Sequence, residues 1–459
     1  MNSSAPSPAG SRPALWSLAW PLFAELAFGM AAGAAGLWLA SRICDPASAA
    51  FALVNHLYAA FFILFRVVGM GVSVVVSQNL GAGDGRGAAR AARASLGATT
   101  WLGWGAAAAV AAGAPVLLDW MNAPPDVRPL ALPFLVWMAL PLALDAYNAT
   151  MASVMRAHLH ARDTLYNMLA MHATHLLLAV PLMRGLGSWE GLGLVGFALA
   201  MTLSRALGLA YHLVLWRWRL RLVPRAPDWW RLHGRLLAPM LHIGVPGAAE
   251  NIAYRIALMV SVAVVARMGA GPLATHGYTM QLMYFIVLVG LAIGFAAEIL
   301  IGHLVGAGRL HEAHRLLRKS LRIGLVLAVL TAAAVASAAP WLMRIFTQDP
   351  AIISLATKLL WITVLLEPGR VFNLVVINAL RAAGDARFPV AAGAASMLLV
   401  LAGGSWLFGV HLGWGLVGVW LAYTLDEWVR GLIMAARWYR LGWVPHARRT
   451  RRRVRLQAA

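Results

Sequence analysis

Cysteine and charge are the two things this 459-residue chain has least of. Its single cysteine, Cys44, excludes an internal disulfide and any cysteine-built metal centre. Charged residues make up 12%, about half the roughly 25% of a soluble domain. Lysine occurs only at Lys319 and Lys358, so arginine carries nearly all of the +21 formal charge. There is no Gly-x-x-x-x-Gly-Lys-Ser/Thr loop, which excludes nucleotide hydrolysis of that kind. Neither Gly-x-Ser-x-Gly nor His-Glu-x-x-His occurs, and nothing else points to an enzyme.

What is present is apolar. Hydrophobic residues reach 61% and mean hydropathy +0.71. They fall in runs long enough to cross a bilayer. The runs place twelve spans at 14–40, 50–78, 94–118, 130–154, 165–183, 191–215, 239–265, 275–303, 320–345, 353–378, 389–410 and 413–436. An isolated apolar segment satisfies its backbone only as a helix, and the alternation of a barrel strand is missing. Arg12 precedes the first run and no small-residue cleavage site follows it, so that run reads as a retained span and not as a signal peptide.

The basic residues sit mostly in alternate loops. Arg86, Arg90 and Arg93 follow the second span, and Arg156 and Arg162 the fourth. Arg217 to Arg235 follow the sixth, Arg309 to Arg322 the eighth, and Arg381 and Arg387 the tenth. This bias puts those loops and both termini in the cytoplasm of a bacterial inner membrane. It also explains the charge without nucleic acid; the arginine-rich tail after 438 suits anionic lipid heads.

The chain repeats itself at a constant offset of about 225 residues. Pro21 and Glu25 recur as Pro246 and Glu250, Gly69 as Gly294, Gly81-Ala82-Gly83 as Gly306-Ala307-Gly308, Arg90 as Arg315, and Arg156-Ala157 as Arg381-Ala382. With six spans in each copy, both enter the bilayer facing the same way. The expected fold is therefore all-α and integral to the membrane: two six-helix lobes related by a pseudo-two-fold axis along the membrane normal. Residues 1–215 form the first lobe, 216–238 a linker, 239–437 the second lobe and 438–459 a basic tail. Trp216, Trp218, Trp229 and Trp230 among arginines predict a linker lying on the membrane surface, with a short helix after Pro227.

These residues also carry a family resemblance. Segment 67–86, VVGMGVSVVVSQNLGAGDGR, resembles the end of the second helix and following loop of the multidrug and toxic compound extrusion (MATE) family. Segment 379–389, ALRAAGDARFP, is similar to that family's loop after helix 10, with a worn copy at 154–164; Pro21 and Glu25 resemble its first-helix opening. The resemblance implies a monomeric, cation-coupled exporter of organic, often cationic compounds, needing no cofactor beyond the coupling H+ or Na+. Two positions depart from the pattern. Gly36 stands where many members carry a helix-1 aspartate. Tyr254 stands where another branch carries a helix-7 glutamate, and here the acid is Glu250.

The coupling chemistry must then come from the ionisable residues inside the spans, each costing about 2.5–3.5 kcal/mol or more to place there. Glu25 and Glu250 follow prolines that free the carbonyls of Ser17 and His242, so each could take a proton or a transient Na+. Arg66 and Arg255 are their candidate counter-ions; a purely structural pairing is the alternative. Glu367 and Arg370 lie three apart on one helix face and flank Pro368-Gly369, a candidate hinge. Asp145 is the repeat equivalent of Arg370, so the two could meet across the cleft or pair separately within their lobes. Glu298, near His303, is a cleft-lining acid or an interfacial residue. His56 and its equivalent Gln281, with Asn251 and Tyr254, are candidate relay or cleft-lining groups. His172 and His175 are three apart without a nearby acid, a plain packing pattern as much as a relay. The alternative function is a flippase for lipids or lipid-linked sugars, which would require unpaired arginines facing the cleft.

Overall fold

The computed structural model describes residues 15–186 and 188–458. Arg12 and residue 14 of the first expected span lie outside them, as does the side chain of Arg66. Helices α1 (Leu15–Ser41), α2 (Asp45–Gly81), α3 (Gly85–Trp120), α4 (Arg128–Ala157), α5 (Ala161–Arg184) and α6 (Gly193–Arg219) build the first lobe. A two-residue antiparallel pairing, Gly185 with Glu190 and Leu186 with Trp189, joins α5 to α6. The second lobe holds α7 (Gly234–Ala266), α8 (Ala270–Ala307), α9 (Leu310–Leu342), α10 (Pro350–Ala382), α11 (Arg387–His411) and α12 (Gly415–Tyr439). A last helix, α13 (Val444–Ala458), packs on the bundle end. Eleven of the expected spans coincide with helices long and apolar enough to cross a bilayer. The twelfth, α12, is as long but carries Asp426, Glu427 and Arg430 in its interior.

The helices outrun the apolar runs that predicted them. Asp84 caps α3, its carboxylate accepting from the Gly87 N–H at 2.7 Å, so Arg86, Arg90 and Arg93 ride on the first turns of a helix and not in a loop. The same holds for Arg315 to Arg322 on α9. A helix satisfies its own backbone wherever it is, so it does not stop where lipid stops. The linker is shorter than expected for the same reason: α6 continues through Arg219 and α7 begins at Gly234, leaving one 3-10 turn at Ala226–Trp229. Trp218 and Trp230 are exposed there as a surface segment requires, whereas Trp216 is fully buried in the lobe core. At Pro368-Gly369, α10 runs on without a break, and Gly369 lets α12 approach instead: a Cβ there would press on the Trp428 backbone and ring.

The two copies pack against each other reciprocally. Leu15, Leu18 and Leu22 at the start of α1 join a core made by α8, α9 and α10 of the other lobe. Their equivalents at the start of α7, Met240 and Ile243, join the core of α2, α3 and α4. The last turns of α2 and α8 then cross backbone to backbone. Gly81 abuts the His303 carbonyl and Gly306 abuts that of Gln78, one contact repeated by the two-fold, and a Cβ at either would collide. Gln78 Nε2 donates to the Ala382 carbonyl at 2.7 Å, and His303 Nε2 lies 2.8 Å from the Ala157 carbonyl. The lobes are thus sealed together at the arginine-rich end. Towards the other end, Ile252, Ile256 and Met259 on α7 are exposed, as are His56 on α2 and Gln281 on α8.

Candidate functional site: three buried charge clusters

The ionisable residues expected to matter gather into three groups, with partners the sequence did not disclose. In the first, Glu25 on α1 is held by Arg156 at the end of α4, Nη1 to Oε2 at 2.8 Å, and accepts a short hydrogen bond from the Thr164 hydroxyl. Its equivalent, Glu250 on α7, is held by Arg381 at the end of α10. Both pairs span 131 residues. Each arginine also reaches the side chain three residues before it, Arg156 to Ser153 at 3.2 Å and Arg381 to Asn378 at 3.3 Å. The expectation that Arg66 and Arg255 serve these glutamates is corrected: Arg255 is exposed, the Arg66 side chain lies outside the described residues, and the counter-ions are Arg156 and Arg381. The signal was in the repeat, since Glu25 with Arg156 and Glu250 with Arg381 keep one spacing.

In the second group, Asp145 on α4 pairs with Arg205 on α6 at 2.7 Å and accepts from the Tyr58 hydroxyl at 2.5 Å. Asp145 therefore does not meet Arg370 across the cleft; each is neutralised inside its own lobe. Nearby, His175 is buried edge-on against Phe197, a packing role.

The third group is the largest and most buried. Arg370 on α10 bonds Glu367 at 2.6 Å, as its helical spacing suggested, and also Glu427 on α12 at 3.1 Å. Arg430, one turn on, contacts Asp426 at 2.7 Å and Glu427 at 3.1 Å. Asn373 donates to Glu427 at 3.0 Å and Ser396 on α11 to Asp426 at 2.7 Å. The Tyr254 ring lies under Arg430 at 5.9 Å, which gives the residue replacing the family glutamate a place beside the charges. Glu367 is 1% exposed and Asp426 0%. Three carboxyls thus face two guanidiniums among buried side chains. Asp426, Glu427 and Arg430 were missed by the sequence reading, although three ionisable residues at helical spacing inside an apolar run are themselves a signal.

The remaining candidates lie elsewhere. Glu298 is buried on α8, one turn before the point where Gly302 meets Ser77 across the lobe seam. Asn251 donates to the Gly247 carbonyl of its own helix at 2.8 Å. His56 does the same with Ala52 at 2.7 Å.

Two repeated helical lobes, sealed at one end and holding buried charge in each half, define a membrane transporter. The MatE family profile matches residues 15–181 and 246–406, once in each lobe, and the chain belongs to that family. It is 32% identical to the "Uncharacterized transporter YisQ" of Bacillus subtilis, over 95% of this chain and 96% of that one. It is 26% identical to the "Probable multidrug resistance protein NorM" of Bradyrhizobium diazoefficiens, covering 87% of each. Among solved structures it resembles the Vibrio cholerae MATE transporter VcmN in the bent form (TM-score 0.86, 17% identity, 95% and 97% of the two chains). It also resembles an outward-facing multidrug resistance MATE transporter (TM-score 0.85, 18% identity, 94% and 96%). At such identities the likeness to the solved structures is one of fold.

Proposed function

We propose that the protein is a proton-coupled antiporter that exports organic cations. The supporting observation is the second-lobe cluster, in which Glu367, Asp426 and Glu427 outnumber Arg370 and Arg430. A buried charge left uncompensated costs several kcal/mol, so full ionisation of all three acids calls for one more positive charge. Glu367 has the fewest ties, Arg370 alone, and is where that charge would arrive. Both oxygens of Asp426 and of Glu427, and one of Glu367, are already engaged by guanidinium, amide and hydroxyl donors. A proton suits this better than Na+.

Protonating Glu367 releases Arg370 from one of its two acids and so changes how α10 and α12 hold each other. Coupling requires only that this change favour one arrangement of the lobes over the other. With the arginine-rich end read as cytoplasmic, the seam closes the cleft between the lobes on that side. Ile252, Ile256 and Met259 form an exposed stripe on α7, with Arg255 on the same face. The flippase reading remains the alternative: Arg205 and Arg370 have carboxylate partners, whereas Arg255 is exposed on α7.

The test is purified protein in liposomes with an imposed pH or Na+ gradient and a fluorescent organic cation inside. Efflux that follows the pH gradient supports the proposal. Efflux that follows Na+ alone replaces the proton with Na+, and no efflux under either gradient refutes the antiporter reading.

A further inference from the structure

The two copies of the repeat place their charges differently at one turn. In the first lobe, Asp84 begins α3 and lies 4.0 Å from Arg90. In the second lobe, the equivalent of Asp84 is Arg309, and the equivalent of Arg90 is Arg315. Both turns carry two arginines and one acid, Arg86, Arg90 and Asp84 in the first lobe and Arg309, Arg315 and Glu312 in the second, where α13 adds two more arginines. A cavity of about 450 Å³ opens there, between the α8–α9 turn and α13. That is within the range of small-ligand sites, roughly 300–1,000 Å³. Four arginines line it: Arg309 and Arg315 from the start of α9, Arg448 and Arg451 from α13. Glu312 is the one carboxylate among the described lining residues, and Arg309 already holds it through two bonds of 2.6 and 2.7 Å. The left-handed Gly308, φ +76°, makes room for the Arg451 guanidinium, which would collide with a Cβ there.

The helix that supplies half of this cavity is firmly docked. Ala447, Thr450 and Val454 form its buried face, and Trp443 just before it stacks on Trp438 of α12 with ring centres 4.1 Å apart. Arg453 donates to Gln78 of the first lobe at 3.2 Å. The backbone that carries Arg448 and Arg451 is therefore fixed by packing that does not depend on them.

We infer that this cavity is a binding site for a phosphate-bearing anion at the membrane surface. Guanidinium groups bind phosphate oxygens in pairs, and several on fixed helices spend little entropy in doing so. Exposed Tyr439 and Leu441 lie at the α12–α13 junction, which suits the headgroup of an anionic lipid; a soluble phosphate compound offers the same chemistry. The site is separate from the transport cluster and stands whether or not the protein exports cations.

The test uses the full chain, stripped of lipid in a neutral maltoside detergent. Short-chain phosphatidylglycerol, phosphatidylcholine of the same chain length, and inorganic phosphate are each titrated while the thermal midpoint is followed. Phosphatidylglycerol is expected to raise the midpoint saturably and phosphatidylcholine to leave it unchanged. In R315Q/R448Q the apparent affinity should fall roughly tenfold or more, the worth of one to two charged hydrogen bonds. R449Q/R452Q removes equal charge from α13 outside the cavity and should bind as the parent does. A response to inorganic phosphate as strong as that to lipid identifies a soluble ligand; a response to lipid alone identifies a headgroup. The inference fails if both lipids act alike, or if R449Q/R452Q loses as much as R315Q/R448Q. Should the double variant not fold, R315Q alone, on α9 and away from the docked face of α13, carries the comparison.

Discussion

Glu367 and Arg370 face each other at 2.6 Å on α10, although a proline and a glycine lie between them. The helix carries both side chains on one face through that step, and α12 fits against the glycine to bring Glu427 to the other side of the same guanidinium. The residues that could have made a hinge make a close approach between two charged helices.

Glu367→Gln keeps the shape of the side chain and removes its ability to hold a proton. The variant should fold with an unchanged thermal midpoint and lose gradient-driven efflux in liposomes. Arg370→Gln should behave differently, because it strands the buried carboxylate of Glu367 while Glu427 keeps Arg430 and Asn373; a loss of about 3–5 kcal/mol is expected. Normal coupling in the glutamine variant of Glu367 would remove that residue from the mechanism.

The two symmetric pairs should not be equally costly to break. Glu25 keeps the Thr164 hydroxyl when Arg156 is removed, and the Arg156 side chain is 22% exposed. Arg381 is 6% exposed, and position 389, the repeat equivalent of Thr164, is a proline. Arg381→Gln is therefore expected to lower the thermal midpoint more than Arg156→Gln. Equal losses would mean that the hydroxyl contributes nothing.

At the lobe seam, Gly81 and Gly306 meet main-chain carbonyls that cannot move aside. Valine at both positions should hold this end apart, at a cost of roughly 1–3 kcal/mol to the closed form. With Cys44 replaced by serine, a cysteine at the buried Ser77 should resist a water-soluble thiol reagent in the parent and react in the valine variant. Unchanged protection would show that the seam tolerates the added volume.

Cys44 itself reports orientation. It is exposed between α1 and α2, at the end opposite the arginines of α3 and α9. A membrane-impermeant maleimide applied to intact spheroplasts should label it. Labelling only after lysis would reverse the assigned topology.

Arg453→Ala removes the hydrogen bond by which α13 reaches Gln78 of the first lobe. About 1 kcal/mol should be lost, seen as a small fall in thermal midpoint. The Trp443 side should remain docked, detectable as unchanged shielding of its fluorescence from quenchers. Undocking of the whole helix would mean that this one contact anchors it.

The number of spans, the duplication and the repeated turn glycines could be read from the chain, because hydropathy, repeat offset and turn residues are local properties; that Gly81 and Gly306 seal the lobes could not. Glu25, Glu250, Glu367, Arg370 and Asp145 could be singled out for the same reason: charge inside an apolar run is visible without a structure. Their partners were a different matter. Arg156 and Arg381 stood in what looked like loops, since apolar runs end before helices do, and Arg205 and Arg430 lie on segments whose contacts no local pattern discloses.

Sequence by itself determined that this chain spans a membrane as two related six-helix halves, because every residue's transfer cost to lipid and every repeat position is written along the chain. Tertiary structure alone decided which acid meets which arginine, and that the second lobe holds three carboxyls against two guanidiniums. Such pairings depend on how helices far apart in sequence rotate and cross, and burial turns an otherwise weak attraction into the strongest local constraint on the fold.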